Sequence, residues 1–250
     1  MNPFAIAGII AIGISLGLTG AGGSILTLPV LVYLVGLPPI EAVGVSLCIV
    51  AIAAGIGAVQ RWRCSEIHLK AAFMFGGAGM VGAAIGAQFT HVVDERLLMI
   101  LFALLMIVVG LRMIFKTTSQ IEPLPECKPI RCILAGSGTG IVTGFLGVGG
   151  GFILMPALIR FARLPIAMAT GTSLAVIAAN SMVGSFAHQA AISKNGRLTL
   201  IFAAIAVIGT FLGKRIANRL PQLVIQRIFG SMVFITATAI LVEIILRKHS

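Results

Sequence analysis

Residues 144–151 read Gly-Phe-Leu-Gly-Val-Gly-Gly-Gly, five glycines in eight positions between two apolar runs. Residues 17–24, Gly-Leu-Thr-Gly-Ala-Gly-Gly-Ser, pose the same puzzle in the first half of the chain. Glycine in a helix interior costs roughly 1 kcal/mol against alanine, so both clusters interrupt stretches that otherwise read as buried helix. Glycine also reaches backbone angles closed to other residues and lets a backbone approach a ligand closely.

The surroundings identify the solvent. The chain has 250 residues, 58% of them hydrophobic and only 10% charged, where a soluble domain carries about 25%. The mean hydropathy is +1.10. Asp, Glu, Lys and Arg are absent from 1–40, 71–93, 97–111, 132–159 and 164–193. Apolar runs of about 20 residues are long enough to cross a bilayer as helices, and no alternation of the barrel kind occurs. The expected fold is an all-α, multi-pass membrane protein, placed in the cell inner (cytoplasmic) membrane.

The net charge of +11 does not point to nucleic acid, because the 18 Lys and Arg sit at the ends of apolar runs. That is where cytoplasmic loops facing anionic lipid carry them. The first residues, Met-Asn-Pro-Phe-Ala-Ile, lack a basic leader and a small-residue cleavage site, so they read as a retained segment. Cys48, Cys64, Cys127 and Cys132 form no CxxC pair. Cys127 and Cys132 are taken as two unrelated thiols near a loop, with a bridge or metal pair as the alternative.

The chain repeats itself at an offset of 127 residues. Gly20, Gly22, Gly23, Pro29 and Leu31 map to Gly147, Gly149, Gly150, Pro156 and Leu158. Leu37-Pro38 maps to Leu164-Pro165, and Gly44, Ser46 and Leu47 map to Gly171, Ser173 and Leu174. Gly57, Gly82, Gly86 and Phe102 have Gly184, Gly209, Gly213 and Phe229 as counterparts. Chance likeness among apolar segments does not hold Gly and Pro in one register. The expected units are 1–118, a polar linker 119–130, and 131–250. Each half opens with a glycine-broken segment (4–35 and 131–162). Three apolar segments follow, at 41–60, 70–91 and 96–115, then 167–188, 198–214 and 222–246.

If the broken segment enters and leaves on one side, the halves are inverted and thirteen basic residues face five across the membrane. If it crosses, the split is eleven to seven. The positive-inside rule favours the sharper asymmetry, hence inverted repeats with both termini outside. Transporters of that plan break helices near the bilayer midplane, and free N–H groups at a half-helix N-terminus form an anion site. Gly82, Gly86, Gly209 and Gly213, spaced four apart, read instead as packing positions, and Gly82→Ala is expected to have little effect.

The paired stretches "GAGGSILTLPVLVYLVGLPPIEAVGVSL" and "GVGGGFILMPALIRFARLPIAMATGTSL" resemble the duplicated signature of the sulfite exporter TauE/SafE family over nearly the whole chain. The resemblance implies a permease for small sulfur-containing anions such as sulfite or organosulfonates. It also implies an inorganic or organosulfur anion and the lipid bilayer as partners, with a homodimer left open. The candidate substrate residues are Gly20, Gly22, Gly23, Ser24 and Ser46 in the first half. In the second they are Gly147, Gly149, Gly150, Gly151, Thr170, Thr172, Ser173 and Asn180. Hydroxyls and an amide can hydrogen-bond sulfonate oxygens, or equally bond helix to helix; Ser181 belongs to the same polar cluster. Thr170 faces Val43 in the repeat, so the second half is the more polar.

Gln60, Arg61 and His188 end their segments, either receiving an anion or serving as interfacial loop residues. Glu41 opens a helix, where a carboxylate suits the positive end. Glu243 is an intramembrane acid or a terminal ion-pair partner of Arg247 and Lys248. No GxSxG, HExxH or P-loop pattern occurs, and the four histidines are scattered. No enzyme activity and no cofactor are therefore expected. The remaining classes are a secondary transporter or facilitator, and a non-transporting scaffold or sulfur-carrier partner.

Overall fold

The structure, a computed structural model, describes residues 3–19, 23–90, 93–115, 129–146, 154, 157–159, 162, 164–217, 219 and 221–246. Among these the chain is helical and has no strand. The first helices are α1 (Pro3–Thr19) and α2 (Gly23–Pro29), the latter continuing into a π-turn at Val30–Leu34. Then come α3 (Pro39–Trp62), α4 (Leu69–Thr90), α5 (Glu95–Phe115) and α6 (Pro129–Leu146). After α6 follow α7 (Ile166–Phe186), α8 (Gln189–Lys194), α9 (Gly196–Ala217) and α10 (Gln222–Leu246). The six apolar segments expected after the two breaks match α3, α4, α5, α7, α9 and α10 to within a few residues. The short α8 was not expected; its ordering contacts come from elsewhere in the chain and are described below.

Proline sets the starts of the two central helices. Pro38 precedes α3 at φ −55°, ψ 141°, and Pro165 precedes α7 at φ −55°, ψ 149°. Pro39 then occupies a first-turn position of α3, where its missing N–H is no loss. Gly36, at φ +81°, lets the π-turn close, with the Leu37 N–H donating to Leu31 O at 3.0 Å.

Pro39–Trp62, Leu69–Phe89, Ala167–Phe186 and Gly196–Ala217 are long and apolar enough to cross a membrane. Burial separates them: 72% of the α3 window and 61% of the α7 window lie inside the protein, against 39% for α4 and α9. A helix apolar on all sides belongs in the centre, and α3 with α7 forms that centre. Leu47 lies against Gly184 and Leu174 against Gly57, so the two run antiparallel.

Around this pair α1 packs on α9, α6 on α4, and α5 on α10. The α1–α9 seam is glycine on glycine. A Cβ on Gly13 would stand 2.9 Å from Gly209 Cα, and one on Gly17 would stand 2.9 Å from Lys214 N. The α4–α6 seam has the same build. A Cβ on Gly140 would stand 2.7 Å from Gly79 Cα, and one on Gly86 would stand 2.8 Å from Phe145 N. Small residues at such spacing let helix backbones touch. Gly82 belongs here as well, with Ile141 N 2.9 Å from where its Cβ would be. That corrects the expectation of a mild Gly82→Ala, because the neighbour is backbone and cannot rotate away.

Candidate functional site

Gly20, Gly22, Gly147, Gly149, Gly150 and Gly151 lie outside the described residues. What flanks the first cluster is described. α1 ends at Thr19 and α2 begins at Gly23, with Ser24 second in that helix. Gly23 must be small, because a Cβ there would stand 2.8 Å from Leu16 N of α1. Further on, Gly8 faces Val30 and Leu34 at 3.2–3.3 Å. α2 and its π-turn therefore run back along α1, and the opening segment returns toward the level at which it began. The returning arm is buried through Leu26, Leu28 and Leu31.

Beside the C-terminal end of α1 sits Arg61, a buried cation only 7% exposed. Its Nη2 donates to the Gly17 carbonyl at 3.2 Å, and Nη1 donates to Glu66 Oε2 at 2.8 Å. A guanidinium suits the negative end of a helix dipole. The sequence left Arg61 between anion contact and interfacial loop residue; the structure places it inside, tying α3 to α1 and to the α3–α4 loop. The neighbouring Lys214 Nζ donates to the Gln60 carbonyl at 3.4 Å and contacts Cys64 Sγ at 3.2 Å.

The same loop docks on the start of α7. The His68 N–H donates to Thr172 Oγ1 at 3.0 Å, while His68 Nδ1 accepts from the Ala71 N–H at 3.1 Å and caps α4. A Cβ on Gly171 would stand 3.3 Å from Arg61 Cβ. At the other end of the α3–α7 pair, Gly44 faces His188 and Ala191. His188 is buried there. Glu41 accepts from Lys194 Nζ and, at 3.1 Å, from Asn195 Nδ2. These contacts hold α8 against the start of α3. Glu243 has no described side chain.

Ser46, Thr170, Thr172, Ser173, Asn180 and Ser181 are all buried. They do not converge on one point. The Gly44–His188 and Arg61–Gly171 contacts are seventeen positions apart along α3, about 25 Å at 1.5 Å per residue. Ser46 and Ser173 each sit two residues inward, so about 20 Å separates their levels. Ser46 Oγ donates to the Val43 carbonyl at 2.8 Å and Ser173 Oγ to Thr170 O at 2.9 Å, the local back-bonding open to serine in a helix. Asn180 is different. It lies midway between the two ends, 2% exposed, and its Oδ1 has no hydrogen-bond partner among the described residues; nor does Ser181 Oγ. Its Nδ2 fills the place of a Cβ on Gly79 of α4, 2.5 Å from that position.

Among the described residues no three His, Cys, Asp or Glu side chains group as metal ligands. Cys48 and Cys64 are free, whereas Cys132 is disulfide-bonded, which corrects its assignment as an unrelated thiol. Cys127 lies outside the described residues.

Several known proteins are similar to the chain over most of its length. The chain is 31% identical over 233 residues to a probable membrane transporter protein of Xylella fastidiosa, covering 90% of this chain and 89% of that one. It is 25% identical over 231 residues to the probable membrane transporter protein YdhB of Bacillus subtilis, with 90% and 92% covered. A third relative is the probable membrane transporter protein MJ0441 of Methanocaldococcus jannaschii, at 27% identity with 84% and 83% covered. No solved structure matches the chain. Residues 4–240 match the family described as sulfite exporter TauE/SafE, and the chain belongs to that family of membrane transporters.

Proposed function

We propose that this protein is a secondary transporter or facilitator of small sulfur-containing anions, sulfite or an organosulfonate, working by alternating access in the cell inner membrane. Its units are two inverted repeats, 1–118 and 131–250, joined by the linker 119–130. The observation that carries this is the direction of the helices. α1 runs parallel to α9, and α6 to α4, through their glycine seams, while α3 and α7 oppose each other. With α4 running parallel to α7 through Gly76–Val176 and Gly79–Asn180, α1, α3 and α4 point opposite to their counterparts α6, α7 and α9. A twofold axis in the membrane plane relates helices so, and it suits the thirteen-to-five distribution of basic residues.

The substrate is held at the paired glycine breaks, where backbone N–H groups can meet an oxyanion without a lysine at mid-depth. The doubling-back of α2 on α1 supports this, since it sets the first residue of α2, Gly23, against buried Leu16 inside the protein. Charge-assisted hydrogen bonds from such donors contribute about 1.5–3 kcal/mol each.

The test is flux of radiolabelled sulfite and methanesulfonate into liposomes holding the purified chain. Flux above protein-free liposomes is expected, and Gly22→Val and Gly149→Val should abolish it while still eluting as a single species. A chain that moves neither anion would act as a scaffold or carrier partner. Normal flux in both glycine variants would put the site elsewhere.

A further inference from the structure

Asn180 is the one buried amide at the middle of the α3–α7 pair, nine residues from Gly171 and eight from His188. A carbonyl oxygen buried without a partner is unfavourable, so the position needs either a ligand or a reason. The repeat sharpens this. The residue 127 positions earlier is Ala53, and the counterpart of Gly79 is Ala206. Both alanines are buried. The α3 and α9 positions thus hold two alanines where the repeat-related α7 and α4 positions hold an asparagine and the glycine that makes room for it. Packing was already solved without the amide.

We propose that Asn180 is a specificity-determining contact for a singly protonated oxyanion, hydrogensulfite being the simplest example. This rests on the transport function proposed above and names the ionic form of its substrate. A carboxamide offers donors at Nδ2 and an acceptor at Oδ1 whichever way its ends are assigned. A fully deprotonated oxyanion has acceptors only, and would leave Oδ1 unmatched and facing negative charge. An anion bearing one O–H satisfies both ends: its hydroxyl donates to Oδ1 and its other oxygens accept from Nδ2. Charge points the same way. α3 and α4 carry their Lys and Arg only in end turns, at Arg61 and Lys70, and α7 carries none. Nothing on these three helices neutralises a second negative charge at mid-depth, and the desolvation penalty rises with the square of the charge.

The experiment compares sulfite, which gains or loses a proton across neutral pH, with methanesulfonate, which has no O–H at any such pH. Both are measured in liposomes at mildly acidic and mildly alkaline pH. The double variant Gly79→Ala/Asn180→Ala copies the alanines at the repeat-related positions, Ala206 and Ala53, and is expected to fold. It should lower the ratio of sulfite to methanesulfonate rate at acidic pH by tenfold or more. Asn180→Asp, nearly the same shape, should retain sulfite flux at acidic pH, where its carboxyl is again donor and acceptor. It should lose at least tenfold at alkaline pH. An unchanged ratio in the double variant together with an unchanged pH profile in Asn180→Asp overturns the proposal, and leaves Asn180 binding water. A wild-type chain that moves neither anion overturns it too, through the failure of the transport function itself.

Discussion

Gly44 lies directly beneath His188, whose Cβ stands 2.6 Å from where a Cβ on the glycine would be. The relation recurs 127 residues on, where a Cβ on Gly171 would stand 3.3 Å from Arg61 Cβ and close against Glu66 backbone. The start of each central helix is thus fitted under the residue that ends or follows the other. Bulk added at either glycine pushes on the α3–α7 pair at one end only.

Substitution at the glycine seams tests the packing. Gly82→Ala and Gly171→Ala should each destabilise the purified protein by about 1–3 kcal/mol, the usual range for overpacking. The atoms they meet, Ser137 O and Ile141 N for one and Glu66 O for the other, belong to backbone. Gly77→Ala and Gly138→Ala meet nothing within 4 Å and should be neutral or slightly stabilising. Melting temperatures in detergent decide it. Equal behaviour of all four would mean the seams are looser than described.

Much of this was legible from spacing. The Gly and Pro register at an offset of 127, Pro38 with Pro165 among it, gave the paired segments that became α3 and α7. The α1 side of the seam carried its own signal: Gly13-x3-Gly17 and Gly140-x3-Gly144 are small-x3-small patterns one repeat apart. They were overshadowed by the denser clusters beside them. The burial of Arg61 could not be read, because a cation three residues before Cys64 looks like any basic loop residue until Gly17 O and Glu66 are seen around it. Nor could the spacing of Ser46 from Ser173. Internal symmetry relates equivalent residues, but only the antiparallel register of α3 and α7 shows that they sit about 20 Å apart.

The two ion pairs should differ in weight. The Arg61 side chain is 9% exposed and Glu66 30%, whereas Lys194 is 69% exposed. Removing one member of a largely buried pair strands the other, and for this partly accessible pair Glu66→Gln should lower stability by about 2 kcal/mol. Lys194→Ala should change it by under about 1 kcal/mol. Thermal unfolding of the two variants side by side gives the comparison; a larger effect from Lys194 would contradict the burial.

Orientation is open to labelling in intact cells, using single cysteines in a background whose native cysteines are replaced. With the basic-rich loops cytoplasmic, Lys214→Cys should be protected from an impermeant thiol reagent and Lys194→Cys should react. Reaction in the opposite sense would reverse the assignment of sides and leave the helix pairing untouched.

The last prediction concerns movement. Glu41 belongs to the first half and Lys194 to the second, and their pair, reinforced by Asn195, closes one end of the α3–α7 interface. Alternating access requires the halves to part at one face while they meet at the other. In the cysteine-free background, Glu41→Cys/Lys194→Cys should be joined by a short, reducible bis-methanethiosulfonate cross-linker, which replaces the reach of the two long native side chains that meet across the gap. Locked there, the protein should lose anion flux by tenfold or more, and a reductant should restore it. Each single variant should transport under both conditions, because an exposed ion pair contributes little by itself. A cross-linked protein that still transports at the wild-type rate would mean this face does not open during the cycle, and the moving surfaces would have to be sought at the Arg61–Gly171 end alone.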